Sequence, residues 1–390
     1  MPETTLSLRR CLLLGLATFL LMLPETLPVP VLRPLVVERF AVSSSAASWF
    51  MAANLLGALL AAPLIGLWVD RTGHRRRPCV VALLVDAALM QALAHPHDYV
   101  SFLLLRVAEG AAHITALTLL MSLVADAAGS RRGRALGCLG AGLTLGVAMG
   151  AAIGGRIGAD DPLLTLHLAS VVLAAAAVFA GLCLPADTAH AKKPGLRELR
   201  GAWRREPGLR APLLLAFVDR FTVGFFTTGF PLLLAGVHKV PKPDIGMLLA
   251  AFLLPFAVLS WPFGRAAESW SRAWLVGLGS LVYGLGVMFV GYLPVAALWW
   301  LMPVLGIASA VMFVPTMLWL LERAPSVGRT TLMAAFHGAG SLGFLCGTIG
   351  CGELIRLGGE HRDGYALAFL VAGLSEVLGA GVVVVATRRR

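Results

Sequence analysis

Charge is scarce in this sequence. Lys, Arg, Asp and Glu make up 14% of its 390 residues, while hydrophobic residues reach 58%; ordinary soluble domains carry about 25% charged residues. So few charges leave too little polar surface to cover a water-soluble chain of this size, which excludes that class. Cysteine is also sparse: the six lie in or at the ends of apolar runs and form no CxxC pair, so neither a disulfide framework nor a metal site is expected. Equally absent are a metal-ligand cluster, a nucleotide loop and a triad pattern. These absences exclude an enzyme, a resident cofactor and ATP drive within the chain. Arg9 and Arg10 precede the first apolar run, as in a secretory leader, but no small-x-small cleavage site follows closely. Pro24, Glu25, Pro28, Pro30 and Pro34 continue the segment instead, so it is expected to be retained.

What the sequence has is long apolar runs, in blocks of about twenty residues, the length that crosses a hydrocarbon core of roughly 30 Å. Twelve spans are expected, at 11–36, 46–69, 78–95, 99–126, 135–157, 163–185, 211–236, 244–263, 272–293, 295–321, 331–355 and 365–386. The formal charge of +11 invites a nucleic-acid reading, but the positions of the cations argue otherwise. With the N-terminus placed in the cytoplasm, 23 Lys and Arg fall on the cytoplasmic side. Seven fall on the far side: Arg33, Arg39, Arg156, Lys239, Lys242, Arg356 and Arg362. This is the positive-inside bias. The basic charge is therefore a topology signal, and no nucleic-acid partner is expected.

The longest connection, Ala186 to Arg210, divides the chain into six spans and six. Internal repetition supports that division. A shift of 198 superposes Ala52-Ala53 on Ala250-Ala251, Leu55-Leu56 on Leu253-Leu254, Gly66 on Gly264 and Asp70 on Glu268. The same shift matches Gly140-Ala141-Gly142 with Gly338-Ala339-Gly340, and Gly146 and Gly150 echo Gly343 and Gly347 one residue out of step. Copies six spans apart keep one orientation, which makes this a parallel repeat. The expected fold is an all-α membrane protein of twelve transmembrane helices in two pseudo-symmetric six-helix bundles: 1–185, a cytoplasmic linker 186–210, and 211–390.

After the second span the chain reads Gly66-Leu67-Trp68-Val69-Asp70-Arg71-Thr72-Gly73-His74-Arg75-Arg76-Arg77. This resembles the G-x-x-x-D-R-x-G-x-R/K-R/K signature of the major facilitator superfamily at every defining position. Gly66 permits close helix approach, Gly73 a tight turn, and Asp70 can sit at a neighbouring helix N-terminus, where negative charge is favoured. The resemblance implies a cytoplasmic gate formed by Gly66, Asp70, Arg71, Gly73 and Arg75, with Asp126 in the next such loop a partner for Arg75. Arg106-Val107-Ala108-Glu109-Gly110 is similar to the family's R-x-x-x-G pattern in the fourth helix. In the fifth, Gly137, Gly146, Gly150, Gly154 and Gly155 resemble the antiporter signature G-x8-G-x3-G-P-x2-G-G, with Ala151 in place of its proline. The same residues also suit general helix packing.

Charged groups at mid-membrane are costly, by about 2.5–3.5 kcal/mol on insertion scales, and normally face a wet cavity or a partner. Glu25, Asp86, Arg106, Glu109, Asp219, Arg220 and Glu376 all fall inside spans. At about 1.5 Å per residue Glu25 lies roughly 21 Å into an outward-running helix and Arg106 roughly 10 Å into an inward-running one, so the two reach a similar level. Glu109 and His113 follow Arg106 at helical spacing on one face. The proton-coupling candidates are Glu25, Arg106, Glu109, His113 and Asp219. Asp219 and Arg220, about 100° apart on their helix, need not pair. Asp86 and Glu376 read as buried packing charges. Candidate substrate contacts are Glu25, Asn54, Phe225, Phe226 and Phe313.

The resemblance implies a secondary active transporter that works by alternating access and resembles the drug:proton antiporter branch. It is expected to export small lipophilic compounds in exchange for protons, as a monomer in a bacterial inner membrane with both termini cytoplasmic. The alternative is a proton-coupled permease for a sugar or other polar metabolite.

Overall fold

The computed structural model of the chain describes residues 8–72, 74–95, 98–127, 132–184, 207–323, 329–359 and 361–388. Among these, twelve helices are long and apolar enough to cross a membrane. They are α1 (Leu8–Thr26), α2 (Ser44–Thr72), α3 (Arg76–Ala94), α4 (Tyr99–Ala127), α5 (Arg132–Ile157), α6 (Leu164–Cys183), α7 (Arg210–Gly236), α8 (Lys242–Ser269), α9 (Arg272–Phe289), α10 (Val295–Arg323), α11 (Arg329–Leu357) and α12 (Arg362–Arg388). Their apolar side chains face outward as well as inward: Leu60, Leu64, Leu182, Val258 and Trp300 are all more than half exposed. In water that arrangement would be unfavourable; in hydrocarbon it costs nothing.

The first span departs from a continuous helix over 11–36. The α-helix stops at Thr26, and the chain goes on as a 3₁₀ turn at Val29–Val31 and a π-helical stretch at Arg33–Glu38. Prolines explain the change of winding. Each lacks an amide hydrogen and crowds the preceding turn, so Pro28, Pro30 and Pro34 prevent the regular ladder. Pro24, still inside α1, withdraws the partner that the Leu20 carbonyl would otherwise have, one residue before Glu25.

The chain forms two compact units. The first comprises Met1–Val42, Phe50–Ala191 and Val240–Leu253; the second comprises Ser43–Trp49, Lys192–Lys239 and Leu254–Arg390. In the first unit α1 packs mainly on α5, and α3 on α6 and α4. In the second the equivalent pairs recur, α7 on α11 and α9 on α12 and α10.

Glycine ridges make the leading contact in both. Gly142, Gly146, Gly150 and Gly154 line one face of α5, and a methyl added at any of them would press on α1 or the residue just after it, in order against the carbonyls of Gly15, Phe19, Leu23 and Leu27. Both series advance by four residues, the repeat of a helical ridge. Thr26 strengthens the seam by donating its hydroxyl to the Val147 carbonyl at 2.7 Å. In the second unit Gly343 and Gly347 of α11 meet the Phe217 and Phe221 carbonyls of α7 in the same way. Gly155 points elsewhere, toward Lys242 and Gly246 at the start of α8. No proline interrupts α5, and Ala151 is buried within it.

Basic side chains secure several helix ends. Arg39 donates to the carbonyls of Leu93 at 3.1 Å, Ala94 and His95 at the end of α3, and its guanidinium stacks over Phe40 and Phe102. Arg362 donates to the Gly291 and Tyr292 carbonyls after α9. Lys242 reaches the Ala159 carbonyl at 2.6 Å. Carbonyls at helix C-termini carry partial negative charge and lack intrahelical partners, so cations are favoured there.

Candidate functional site: a buried charge cluster on α1 to α4

The α1–α5 ridge fixes the rotation of α1 and presents Glu25 toward α4. A second close approach seats α2 on α4: a side chain at Gly57 would overlap the Val107 carbonyl, and one at Gly110 would overlap the Asn54 backbone. That contact carries the Asn54 amide to Glu109, where it donates to Oε2 at 2.8 Å. Arg106, three residues earlier on α4, donates to the same oxygen at 2.6 Å. Both ends of this ion pair are completely buried. Phe50 lies under the guanidinium, 4.6 Å from its ring centroid, a cation–π contact that compensates part of the lost hydration.

Around this pair lie three more ionisable groups. Glu25 Oε1 is 3.9 Å from Arg106 Nη2, and Glu25 Oε2 is 3.8 Å from His113 Nε2. The Glu25 side chain keeps 21% of its surface exposed, whereas Arg106 and Glu109 keep none. On the other side of the imidazole, Nδ1 lies 2.9 Å from Oδ2 of Asp86, a fully buried carboxylate on α3. Four helices thus supply one connected cluster: Glu25, Asn54, Asp86, and the Arg106–Glu109–His113 face of α4.

Asp86 is the member that sequence reasoning left as a packing charge of unknown partner; its partner is His113. The signal that could have found it is the charge itself, since a buried acid on an apolar helix calls for a counter-group. Asn54, expected at the substrate, is engaged with Glu109. Oxygens of Glu25 and Glu109 and a ring nitrogen of His113 also lie within 4.8 Å of one another, which brings together three of the residues that depth and helical spacing had grouped. Within that group Arg106 supplies a positive charge and holds Glu109.

The second unit carries a smaller polar site. Asp219 lines a cavity with Ser280, Met312, Phe313, Thr316 and Phe336. Helical geometry does not require these neighbours to pair, yet Arg220 Nε lies 3.8 Å from Asp219 Oδ2, since a long side chain can converge on its neighbour although their Cβ atoms diverge. The Arg220 guanidinium sits 4.8 Å from the centroid of Phe313. Phe313 therefore keeps a cavity position. Phe225 and Phe226 are buried, Phe225 against Phe221 and Phe226 among Phe230, Tyr283 and Phe369. In this structure both pack against neighbouring rings and do not line the cavity. Glu376 is 1% exposed, and neither carboxylate oxygen has a hydrogen-bond partner.

The expected gate is only partly within view. Gly66, Asp70 and Arg71 lie in the last turns of α2, and Asp126 in the last turn of α4, but the side chains of these residues lie outside the described ones, as does Gly73 altogether. Arg75 immediately precedes α3 and is buried. Its neighbour Arg76 donates to the Gly181 carbonyl of α6. Gly137 belongs to the first turns of α5, before the ridge against α1 begins.

Comparison with known proteins agrees with this architecture. The sequence profile of the Major Facilitator Superfamily matches residues 14–212 and again 212–390. No curated protein matches the sequence. Among solved structures, a bacterial homolog of the human lysosomal transporter Spinster, inward-facing and occupied, is 17% identical with a TM-score of 0.79, covering 97% of this chain and 96% of its own. The nucleoside transporter NupG is 11% identical with a TM-score of 0.81, covering 98% and 100%. The human organic anion transporter MFSD10 (TETRAN) is 19% identical with a TM-score of 0.72, covering 96% and 99%. At such identities the likeness is one of fold, while the two consecutive profile matches run through almost all of the sequence. Twelve apolar helices, recurring helix pairs and this double match lead to one conclusion: the chain belongs to the major facilitator superfamily, as a multi-pass membrane transporter of small molecules.

Proposed function

We propose that this transporter is a proton-driven exporter of small lipophilic compounds, with Glu25 as the site where proton and substrate compete. The observation that carries the reading is the position of Glu25: it is the partly exposed member of a buried cluster, within 4 Å of both Arg106 and His113. A carboxylate so placed can hold a proton or hold Arg106, and its choice changes the charge offered to a substrate. Asp219, on the cavity of the second unit, is the further carboxylate in this reading.

The remaining parts follow from the sequence. In this reading the halves 1–185 and 211–390, joined by the linker 186–210, give alternating access, the chain works as a monomer in a bacterial inner membrane, and both termini are cytoplasmic, as the 23-to-seven distribution of cations favours. Asp70, Arg71, Arg75 and Asp126 close the cytoplasmic side. The glycine pattern of α5, which resembles the antiporter signature, supports exchange.

The test uses purified protein in proteoliposomes under an imposed pH gradient, with ethidium as a lipophilic cation and uridine as a hydrophilic solute. Gradient-driven ethidium movement that Glu25→Gln abolishes supports the proposal. Saturable uptake of uridine without ethidium movement would replace it with the permease reading.

A further inference from the structure

The cluster holds three carboxylates, Glu25, Asp86 and Glu109, but one guanidinium and one imidazole. Fully ionised with a neutral ring, it would carry two net negative charges among apolar helices, a state that low-dielectric surroundings strongly disfavour. The contacts divide it into parts. Arg106 and Glu109, with Asn54 on the shared oxygen, form a closed neutral pair. His113 and Asp86 form a second pair through Nδ1. Glu25 is left over and sits against Nε2.

The unsatisfied atoms mark the junction. Glu25 Oε2 and His113 Nε2 are both buried without a hydrogen-bond partner, and they face one another at 3.8 Å. A shift of about 1 Å, or one bridging water, brings them to hydrogen-bond distance. The charged groups that act on the imidazole are Asp86 from α3, Glu25 from α1 and Glu109 from α4 itself. An ionised Asp86 can only accept, so it places the ring hydrogen on Nδ1 and leaves the Nε2 lone pair toward Glu25.

We infer that Asp86 is a positioning residue for proton transfer, holding His113 so that Nε2 receives the proton from Glu25. This rests on the proton-coupling reading above. In the step, the Glu25 O–H bond breaks and an N–H bond forms from the Nε2 lone pair. Glu25 becomes a carboxylate, free to pair with Arg106, and the new imidazolium is held by Asp86, which keeps its charge and takes no proton. An orienting carboxylate behind an imidazole performs the same service in hydrolytic triads. His113 is then an inner proton station, and Asp86 sets both its tautomer and its affinity.

The test is nitrogen-15 NMR of full-length protein labelled at histidine, in lipid nanodiscs and titrated across neutral pH, with His113→Gln to assign the signal. In the wild type the neutral ring should be the Nδ1–H tautomer. Asp86→Asn should mix the tautomers and lower proton affinity at His113 about tenfold; Asp86→Glu should restore both. A wild-type Nε2–H tautomer overturns the proposal, even where Asp86→Asn fails to fold. So does an Asp86→Asn protein whose tautomer and titration match the wild type, or a His113 signal that shifts with sodium chloride but not with choline chloride. Ethidium transport by Glu25→Gln is measured in parallel: normal transport there sinks the coupling reading itself, while its loss beside an unchanged His113 titration sinks only the role of Asp86.

Discussion

Glu25 and Glu376 are both carboxylates within apolar helices, yet their surroundings differ. Glu25 has a cation and an imidazole within reach and a partly open side, whereas Glu376 is enclosed, with Ser280 and the Asp219 carboxylate as its polar neighbours. Glu376→Gln should therefore preserve melting temperature and transport, because the neutral amide replaces an acid with no cation to lose. Arg106→Ala is expected to do the reverse. It strips Glu109 of its cation inside a fully buried pair, an event that costs about 3–5 kcal/mol, and it should abolish ethidium movement while lowering the melting temperature sharply. Thermal unfolding of both variants checks this contrast; a stable Arg106→Ala protein would mean that water reaches Glu109. The level shared by Glu25 and Arg106 was legible by counting residues along two helices. The helical face of Arg106, Glu109 and His113 was legible from their spacing. The Asp86–His113 contact was not, because it depends on the rotation of α3 against α4, which no local pattern encodes. Phe225 and Phe226 were ambiguous for a related reason: their type fits a binding wall and a packed core equally well, and the structure buries both.

At the scale of elements, the α5 glycines act chiefly on α1. Gly150→Ala would press a methyl on the Leu23 carbonyl and on the Thr26 hydroxyl that bonds Val147. Overpacking of this kind costs about 1–3 kcal/mol. Because α1 carries Glu25, the displacement should weaken ethidium transport more than expression, and Gly140→Ala, where an added methyl meets nothing, should be silent. Equal effects of the two substitutions on transport would detach the ridge from the site. The start of α4 gives a pH expectation. Asp98 accepts from the Ser101 amide at 2.9 Å and from its hydroxyl at 2.7 Å, and these bonds hold its carboxyl below the usual range. Its contribution to stability is thus complete above the ordinary Asp range and is lost as pH falls below it. Melting curves of wild type and Asp98→Ala should converge in acid; a gap that persists there would assign the loss to packing. The spacing of the glycines was visible in the sequence, but a line of small residues does not name the helix it receives. The early end of α1 was legible only as a run of prolines, and their actual effect, a passage through 3₁₀ and π winding, depends on what neighbouring helices accommodate.

For the whole molecule, the repeat at a shift of 198 announced two related halves, and the recurring helix pairs show what was repeated: one packing scheme, not one list of functional residues. The glycine seams recur in the two units, whereas their polar clusters differ. Reporter fusions at Arg390 and within 186–210 should both report the cytoplasm; a far-side signal at either would overturn the proposed orientation. Asp70→Asn should slow ethidium transport at unchanged expression and raise the accessibility of cysteines placed in the cytoplasmic part of the pathway; unchanged values for both would leave the α2–α3 segment as a topology signal only. The arginine at the end of α3 has a consequence for the lipid around the protein. Of the seven cations that the charge count places on the far side, five are engaged: Arg39, Arg362 and Lys242 with main-chain carbonyls, Arg33 with Glu38 and Arg356 with Glu353. The two ion pairs cancel their charge, while the three carbonyl-bound cations keep theirs but direct donors to the protein instead of to head groups. Anionic head groups should accordingly collect beside the other leaflet, next to the basic runs, giving the transporter a lopsided lipid shell even in a symmetric bilayer.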